Sequence, residues 1–234
     1  LVDAVLALRK PTVLVLLNGG AMSLGAAKQA APAIVEAFYG GEAGAQAIAD
    51  VLFGEHNPSG KLAATMYPPE YVDEIALTEM SLTAGPGRTH MFYTGEPEFA
   101  FGSGLSYTRW ELAWGDGAPR APIERDARDA RARELRVRVT NAGERDGKQT
   151  VLLLWRPARG NPLPLRQKLV AFGGAFVRAG ETAAVALSFE AEALGFASGE
   201  GGVVAVTPGE YDLVAFDGVR EITRPLRVHA ARDL

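Results

Sequence analysis

Cysteine is absent from this 234-residue chain. Its absence excludes disulfide bonds and thiol catalysis, but it leaves the cellular compartment open, because secreted proteins of this size can fold without bridges. Long apolar runs are also absent: the run at residues 13–17 has the length of a strand, so the sequence predicts no membrane span. The net charge of −4 is small, and it gives no reason to expect a nucleic acid or another polyanion as a partner.

The composition is that of a folded protein. Apolar residues make up 47% of the chain and charged residues 22%, which is typical of a globular protein with a hydrophobic core. The length allows one large domain or two ordinary ones. The chain begins without an initiator methionine, and its first apolar side chains already follow helical spacing. We therefore expect the sequence to be a portion of a longer protein.

The first 85 residues alternate between helix and strand patterns. In chain order, the patterns predict a helix near residues 1–9, a strand at 12–17, a helix at 24–31, a strand at 33–38, a helix at 42–53 and a third strand at 62–66. Strands without polar alternation, separated by helices, indicate a mostly parallel sheet with helices on both faces. Residues 1–85 are thus predicted to be part of an α/β domain.

Residues 86–119 are predicted to be a joint between this part and the next. The stretch PGRTHMFYTGEPEFAFGSGLSYT contains six glycines and prolines, which oppose a long regular helix. Its backbone must therefore find hydrogen-bond partners elsewhere. We expect an ordered crossing whose aromatic side chains pack on another surface, namely Phe92, Tyr93, Phe99, Phe101 and Tyr107.

Residues 120–234 have the alternating pattern of an immunoglobulin-like β-sandwich. Short strands separated by turn signals are predicted at residues 135–140, 151–155, 169–172, 184–189, 203–206, 211–216 and 222–228. Tyr211, in PGEYDLVAF, stands where a tyrosine corner would place a hydroxyl that bonds back to the chain. Residues 120–138 mix seven arginines with four acids; a solvated connector and edge strand is the simpler interpretation than a ligand patch.

Two familiar kinds of site are not predicted. A phosphate-binding loop needs Lys and Ser or Thr directly after its second glycine, where Ala26 and Ala27 stand. The histidines are His56, His90 and His229, and no paired zinc-ligand spacing occurs, so we expect no metal and no cofactor. A Ser-His-Asp arrangement stays open on residue types alone, although the chain has no G-x-S-x-G elbow.

Three polar residues are candidates for binding a substrate. Glu42 follows Gly40-Gly41 at the start of a predicted helix; its carboxylate either reaches a substrate hydroxyl or stabilises the helix N-terminus by about 0.3–1 kcal/mol. Arg88 and His90 lie beside aromatic residues in the glycine-rich joint, as in a sugar-binding surface. The alternative is that Arg88 pairs with a nearby acid and that His90 is simply solvated.

Several motifs together resemble one family. The stretches KPTVLVLLNGG, AIVEAFYGGEAGAQAIADVLFGEHNPSGKLAATMYP and PGRTHMFYTGEPEFAFGSGLSYT resemble the C-terminal part of glycoside hydrolase family 3, especially its β-xylosidases and β-glucosidases. The later stretches VTNAGERDGKQTVLLLW, PLPLRQKLVAF and VTPGEYDLVAF resemble the fibronectin type III-like domain of that family. One departure is Gly40 after Tyr39, where the family usually has Pro-Gly.

The resemblance implies an enzyme whose chemistry lies outside this chain. The family's nucleophile is an Asp in an N-terminal barrel, and its usual acid/base is a Glu upstream of the strand that matches residues 12–17. No catalytic residue is therefore assigned here, and the isolated chain is expected to be inactive. The implied partners are a glycoside or oligosaccharide substrate and the missing barrel. The alternative hypothesis is a stand-alone, non-catalytic carbohydrate-binding or interaction module.

Overall fold

The computed structural model describes residues 1–115, 123–126, 133–197 and 204–229. The chain divides into two units. The first consists of Leu1–His56 and Leu62–Phe101, and the second consists of Asn57–Lys61 and Gly102–Leu234. The predicted joint therefore contributes residues 86–101 to the first unit, whereas its residues from Gly102 onward belong to the second.

The first unit begins with the predicted alternation of helices and strands. Its elements are α1 (Val2–Leu6), β1 (Val13–Leu16), α2 (Ala26–Ala30), β2 (Ala33–Glu36), α3 (Gly44–Leu52), α4 (Tyr71–Glu74) and α5 (Thr89–Phe92). Strands β1 and β2 pair in parallel, with Val13 opposite Ala33 and Leu16 opposite Glu36. Parallel pairing with an intervening helix is what continuous apolar strand patterns indicate.

The prediction of a third strand at residues 62–66 is wrong. Met66 makes only an isolated antiparallel bridge with Phe99. The Met66 amide donates to the Phe99 carbonyl at 2.9 Å, and the Met66 carbonyl accepts from the Glu98 amide at 2.8 Å. Ala63 and Ala64 in the middle of this segment also have low strand propensity, so the segment does not extend the sheet of β1 and β2.

The second unit is a β-sandwich with two main sheets. Its elements are β3 (Trp110–Trp114), β4 (Ile123–Asp126), β5 (Arg133–Asn141), β6 (Gly147–Pro157), β7 (Lys168–Val177), β8 (Thr182–Phe189), a 3-10 turn (Ala191–Leu194), β9 (Phe196–Ala197), β10 (Val204–Ala205), β11 (Gly209–Phe216) and β12 (Glu221–His229). One sheet has the order β4-β12-β11-β6-β7, the other has the order β3-β5-β8, and β9 pairs with β10.

Antiparallel pairing dominates the described strands. The mostly parallel sheet predicted for residues 1–85 is limited there to the single described pair of β1 and β2. Parallel pairs occur between β1 and β2 and between β4 and β12. The remaining ladders are antiparallel. Hairpin connections of a few residues, such as the turn between β11 and β12, allow only antiparallel neighbours, because parallel strands need a longer crossover.

The sandwich core confirms the period-two patterns. Alternate residues of β5 point inward, and Val137 and Val139 are fully buried. The Trp155 and Tyr211 rings lie 4.6 Å apart between centroids. The Tyr211 hydroxyl donates to the Thr207 carbonyl at 2.7 Å, which confirms the predicted tyrosine corner.

Strand β3 was not predicted as a strand. It falls inside the region assigned to the joint, residues 86–119, although Trp110, Leu112 and Trp114 alternate with Glu111 and Ala113. That alternation is a usable strand signal.

Candidate functional site

The carboxyl ends of β1 and β2 carry a pair of hydrogen-bonded polar side chains. Asn18 lies just after β1, and its Nδ2 donates to Oε2 of Glu36, the last residue of β2, at 3.1 Å. The other carboxylate oxygen of Glu36 accepts from the Phe38 amide at 3.1 Å. Carboxyl ends of parallel strands are where open α/β sheets bind ligands, so this edge is a candidate site in the first unit.

A sterically constrained turn follows β2. Phe38 has a positive φ of 49°, which is unusual for a side chain of this size. A Cβ on Gly40 would lie 2.8 Å from the Gly44 Cα, and a Cβ on Gly19 would lie 2.9 Å from the Tyr39 ring. Glycine at position 19 therefore lets the turn after β1 lie against the Tyr39 ring, and glycine at position 40 lets the turn after β2 fold closely onto the start of α3. Tyr39 itself is 78% exposed.

Glu42 lies in this turn, two residues before α3 begins at Gly44. Its side chain is exposed. Among the described residues, no hydrogen bond or ion pair joins Glu42 to Arg88 or His90. Within the described residues, Glu42 therefore forms no hydrogen-bonded cluster with the other two predicted residues.

Arg88 is held by the backbone of its own unit. Its Nη2 donates to the Ala76 carbonyl at 3.0 Å, and the guanidinium lies beside the Tyr71 hydroxyl, whose pKa is raised by burial and partly lowered by this cation. The Arg88 Nε is buried and, within the described residues, lacks a hydrogen-bond partner. Arg88 is thus oriented by a carbonyl rather than by the acidic partner considered above.

Thr89, between Arg88 and His90, has a positive φ of 61°. A β-branched residue in this region is strained. The strain is held by the Thr89 amide, which donates to the Tyr67 hydroxyl at 2.7 Å, and by the Thr89 hydroxyl, which accepts from the Met91 amide at 3.2 Å. The Tyr67 ring stacks on Tyr71 with centroids 4.1 Å apart, and Tyr93 lies edge-on to both rings. This packing keeps the Tyr67 hydroxyl in place.

His90 packs rather than projecting into solvent. Its ring stacks on Phe101 with centroids 4.0 Å apart and planes 16° from parallel. Burial lowers the pKa of His90 below its usual value, because the charged imidazolium would lose hydration. The Nε2 atom is buried and has no hydrogen-bond partner among the described residues, which is a costly state for a polar atom.

Sequence reasoning missed a further carboxylate in the first unit, that of Glu98. Glu98 accepts from the amides of Leu24 and Gly25, each at 2.7 Å, and from the Ser23 hydroxyl at 3.2 Å. These contacts fix the loop before α2. Nothing local in the sequence marks Glu98, because its partners lie more than 70 positions earlier. Asn18 and Glu36 could have been found from their places at predicted strand ends.

Within the described part of the chain, no group of three His, Asp or Glu side chains is arranged to hold a metal ion. None of the helices described has the length and apolar character that a bilayer crossing requires.

Comparison with known proteins finds relatives that match most of the chain and are named as one group of enzymes. Residues 1–107 match the model described as "Glycosyl hydrolase family 3 C-terminal domain". The chain is 36% identical over 187 residues to "Beta-xylosidase/alpha-L-arabinofuranosidase 2" of Medicago sativa subsp. varia, covering 69% of this chain and 24% of that protein. It is 33% identical over 205 residues to "Xylan 1,4-beta-xylosidase" of Xylanibacter ruminicola, covering 88% of this chain and 22% of that protein. It thus spans about a quarter of these curated relatives.

Solved structures share the fold along nearly the full length. A GH3 exo-beta-xylosidase in complex with a xylobiose aziridine activity-based probe superposes with a TM-score of 0.83 at 23% identity, covering 98% of this chain and 32% of that one. Beta-D-glucoside glucohydrolase from Trichoderma reesei superposes with a TM-score of 0.75 at 21% identity, covering 97% of this chain and 35% of that one. At these identities the likeness establishes the fold alone.

Proposed function

Because the chain belongs to the C-terminal part of glycoside hydrolase family 3, we propose that it is part of a retaining enzyme that releases β-linked xylose or glucose. The observation that carries this proposal is the likeness, along most of the chain, to relatives named for β-xylosidase activity. The same likeness favours a portion of a glycoside hydrolase over the stand-alone module considered from the sequence.

The proposed chemistry needs two carboxyl groups about 5–5.5 Å apart across the glycosidic bond, one as nucleophile and one as acid/base. In this proposal both belong to parts of the parent enzyme outside this chain. The first unit supplies a wall of the sugar pocket, at the carboxyl ends of β1 and β2. Further parallel strands of the parent, with helices on both faces, would complete the sheet that these two strands begin.

We assign sugar contacts to Glu42, Arg88 and His90. Glu42 has an exposed carboxylate in the turn that follows β2, where it can accept from a sugar hydroxyl. Arg88 Nε and His90 Nε2 are buried polar atoms without partners in the described chain, and leaving such atoms unsatisfied is costly. A ligand or another domain of the parent would satisfy them. The competing role for Arg88 is packing, through its bond to the Ala76 carbonyl.

A chimera tests the proposal. This chain replaces the matching C-terminal portion of the Xylanibacter ruminicola xylosidase, and hydrolysis of an aryl β-D-xyloside and an aryl β-D-glucoside is measured. We expect the chimera to hydrolyse at least one substrate, and we expect no turnover by the 234-residue chain alone, because both catalytic carboxylates come from outside it. Turnover by the isolated chain would overturn the assignment of catalysis to the missing part.

A variant of the chimera tests the proposed contact of Glu42. Glu42→Gln should lower kcat/KM by about tenfold, the loss expected for one hydrogen bond to a charged group. Glu55→Gln, which changes another exposed carboxylate, is the matched control and should leave kcat/KM unchanged. Equal kcat/KM for Glu42→Gln and Glu55→Gln would remove Glu42 from the site. A folded chimera with neither xylosidase nor glucosidase activity would contradict the proposed function.

A further inference from the structure

A cleft lies at one end of the β-sandwich, within the second unit. Three segments form its walls: residues 104–110, which lead into β3; residues 143–145, between β5 and β6; and residues 217–220, between β11 and β12. Its volume is about 450 Å³, which is in the range of small-molecule sites. Loops at the ends of a rigid sandwich are a common place for binding sites.

The loops around the cleft are held by buried polar side chains. Asn141, which is 0% exposed, accepts at Oδ1 from the Thr108 hydroxyl at 2.7 Å and from the Gly143 amide at 3.2 Å. Its Nδ2 donates to the carbonyls of Arg145 at 2.7 Å and Val177 at 3.1 Å. One side chain therefore fixes two of the three walls.

Asn57 and Asp217 fix the remaining backbone. The Asn57 Oδ1 accepts from the Ser106 hydroxyl at 2.9 Å and from the Tyr107 amide at 2.8 Å. The Asp217 Oδ1 accepts from the amides of Val219 at 2.9 Å and Arg220 at 2.7 Å. Asn57 and Asp217 are 7% and 2% exposed. Such preorganised loops reduce the entropy that a ligand must overcome on binding.

Three arginines line the cleft, Arg109, Arg145 and Arg220, together with two carboxylates, Glu144 and Asp217. Arg109 donates through Nη2 to the Ala142 carbonyl at 2.7 Å, and Arg220 donates through Nη1 to the Trp110 carbonyl at 2.8 Å. These bonds orient both guanidinium groups, and each bond uses one terminal nitrogen of its arginine. A guanidinium has five N–H donors, so both retain donors that match the planar geometry of a carboxylate.

An aromatic face lies beside these cations. The Tyr107 side chain lines the cleft and is 45% exposed, and the guanidinium of Arg145 lies over its ring at 5.6 Å. Exposed Leu105 and Val219 add apolar surface. Trp110 also lines the cleft and is 5% exposed, and its indole N–H has no hydrogen-bond partner among the described residues. The arginines attract an anion, whereas the exposed Tyr107 ring and the apolar side chains suit the C–H face of a ring.

We propose that this cleft binds a sugar that carries a carboxylate, with the sugar ring against Tyr107 and the carboxylate at Arg109 and Arg220. Tyr107 buries the C–H face of the ring, and hydroxyl groups accept from the remaining donors. The proposal rests on the second unit alone and does not depend on the proposed hydrolase activity. The cleft would bind a sugar of this class even if the parent enzyme cleaved an uncharged one.

Amide NMR of the 234-residue chain tests the proposal with three probes. Sodium D-glucuronate is the carboxylated sugar, D-xylose is a neutral sugar and sodium acetate is a carboxylate without a ring. We expect saturable shifts at Ser106–Trp110 and Asp217–Arg220 with glucuronate, and weaker binding of the other two. Equal affinity for acetate would show that only an anion is recognised, and equal affinity for xylose would show that the arginines play no part. Either result, or no saturable shift with glucuronate, would overturn the proposal.

Variants locate the binding residues. Arg109→Gln should weaken glucuronate binding about tenfold, since a hydrogen bond between charged groups is lost. Tyr107→Ala removes the surface for the sugar ring, so it should weaken glucuronate binding and reduce the difference in affinity between glucuronate and acetate. Arg178→Gln is the matched control, because Arg178 is exposed and lies outside the cleft. The spectrum of each free variant establishes that it is folded, and unchanged affinity in folded Arg109→Gln would exclude the proposed carboxylate contact.

Discussion

His90 gives the first unit a dependence on pH that starts at one residue. Burial against Phe101 lowers the pKa of its imidazole in the folded state. In the unfolded chain the pKa of a histidine is about 6.5. Between the lowered folded pKa and this value the unfolded state binds more protons, so the free energy of unfolding rises with pH in that window. His90 thus costs no stability above the window and destabilises the first unit as the solution is acidified through it.

The measurement is thermal unfolding followed by circular dichroism between about pH 5 and about pH 7. The midpoint of the wild-type chain should fall on acidification. His90→Phe keeps a ring against Phe101 and cannot titrate, so its midpoint should fall less. His56→Gln is the matched control, because the His56 side chain is exposed, and it should behave like the wild-type chain. Identical pH dependence in His90→Phe and wild type would exclude His90 as the source.

Single residues were predictable from the sequence only where their partners are near in the chain. The Tyr211 hydroxyl binds the Thr207 carbonyl, four residues earlier, so the motif TPGEY already contains both groups. Asn57 binds Ser106 and Tyr107, about 50 positions later. No residue near Asn57 in the sequence indicates these partners. Arg88 and His90 were predicted as candidate site residues, but the Arg88 hydrogen bond to Ala76 and the stacking of His90 on Phe101 could not be inferred from composition. Their roles as sugar contacts remain a proposal.

At the scale of elements, periodicity predicted which helices and strands exist better than it predicted the residues at which they begin and end. Helix α2 was expected from residue 24 and begins at Ala26. The reason is tertiary: the Leu24 and Gly25 amides donate to Glu98, and Gly25 has a positive φ of 52°. A helix start that depends on a carboxylate more than 70 residues away carries no local signal. Strand β4 within the arginine-rich connector matches the expected edge strand in position.

Glu98 is therefore predicted to determine where α2 begins. Glu98→Gln removes the charge and replaces one acceptor with a donor that faces backbone N–H groups. Hydrogen bonds to charged groups contribute about 1.5–3 kcal/mol, so the variant should lose about 1–2 kcal/mol in the unfolding of the first unit. The amides of Leu24 and Gly25 should exchange with solvent faster in hydrogen-exchange NMR.

Glu96→Gln provides the comparison for this element. Glu96 lies two residues away and its side chain is exposed, so its variant should leave the exchange of Leu24 and Gly25 unchanged. Unaltered protection of these two amides in Glu98→Gln would mean that Gly25 geometry alone sets the helix start. In that case the carboxylate would be dispensable for the fold of the loop.

At the scale of the whole molecule, apolar burial is distributed unequally between the two units. Among the described residues, the buried apolar side chains of the first unit are Ala27, Met66, Phe92 and Tyr93. Large apolar side chains exposed in the same unit include Leu17, Tyr39, Phe53, Leu77 and Met80. A sheet of two strands is marginal by itself. The family relationship accounts for this pattern if other domains of a longer parent cover these surfaces.

Local stability should follow the same inequality. Amides in β6 and β11, whose residues include fully buried Leu153, Trp155 and Leu213, should exchange only when the sandwich unfolds globally. Amides in β1 and β2 should exchange through local opening, because few buried apolar contacts oppose it. Exposed apolar surface of this extent also favours association, so light scattering should show a mass that rises with protein concentration.

The two measurements separate the possibilities: equal protection of both units in a chain that stays monomeric would show that the first unit is complete without a covering domain. Slow exchange confined to the second unit, together with association, would show that the first unit depends on surfaces this chain does not supply.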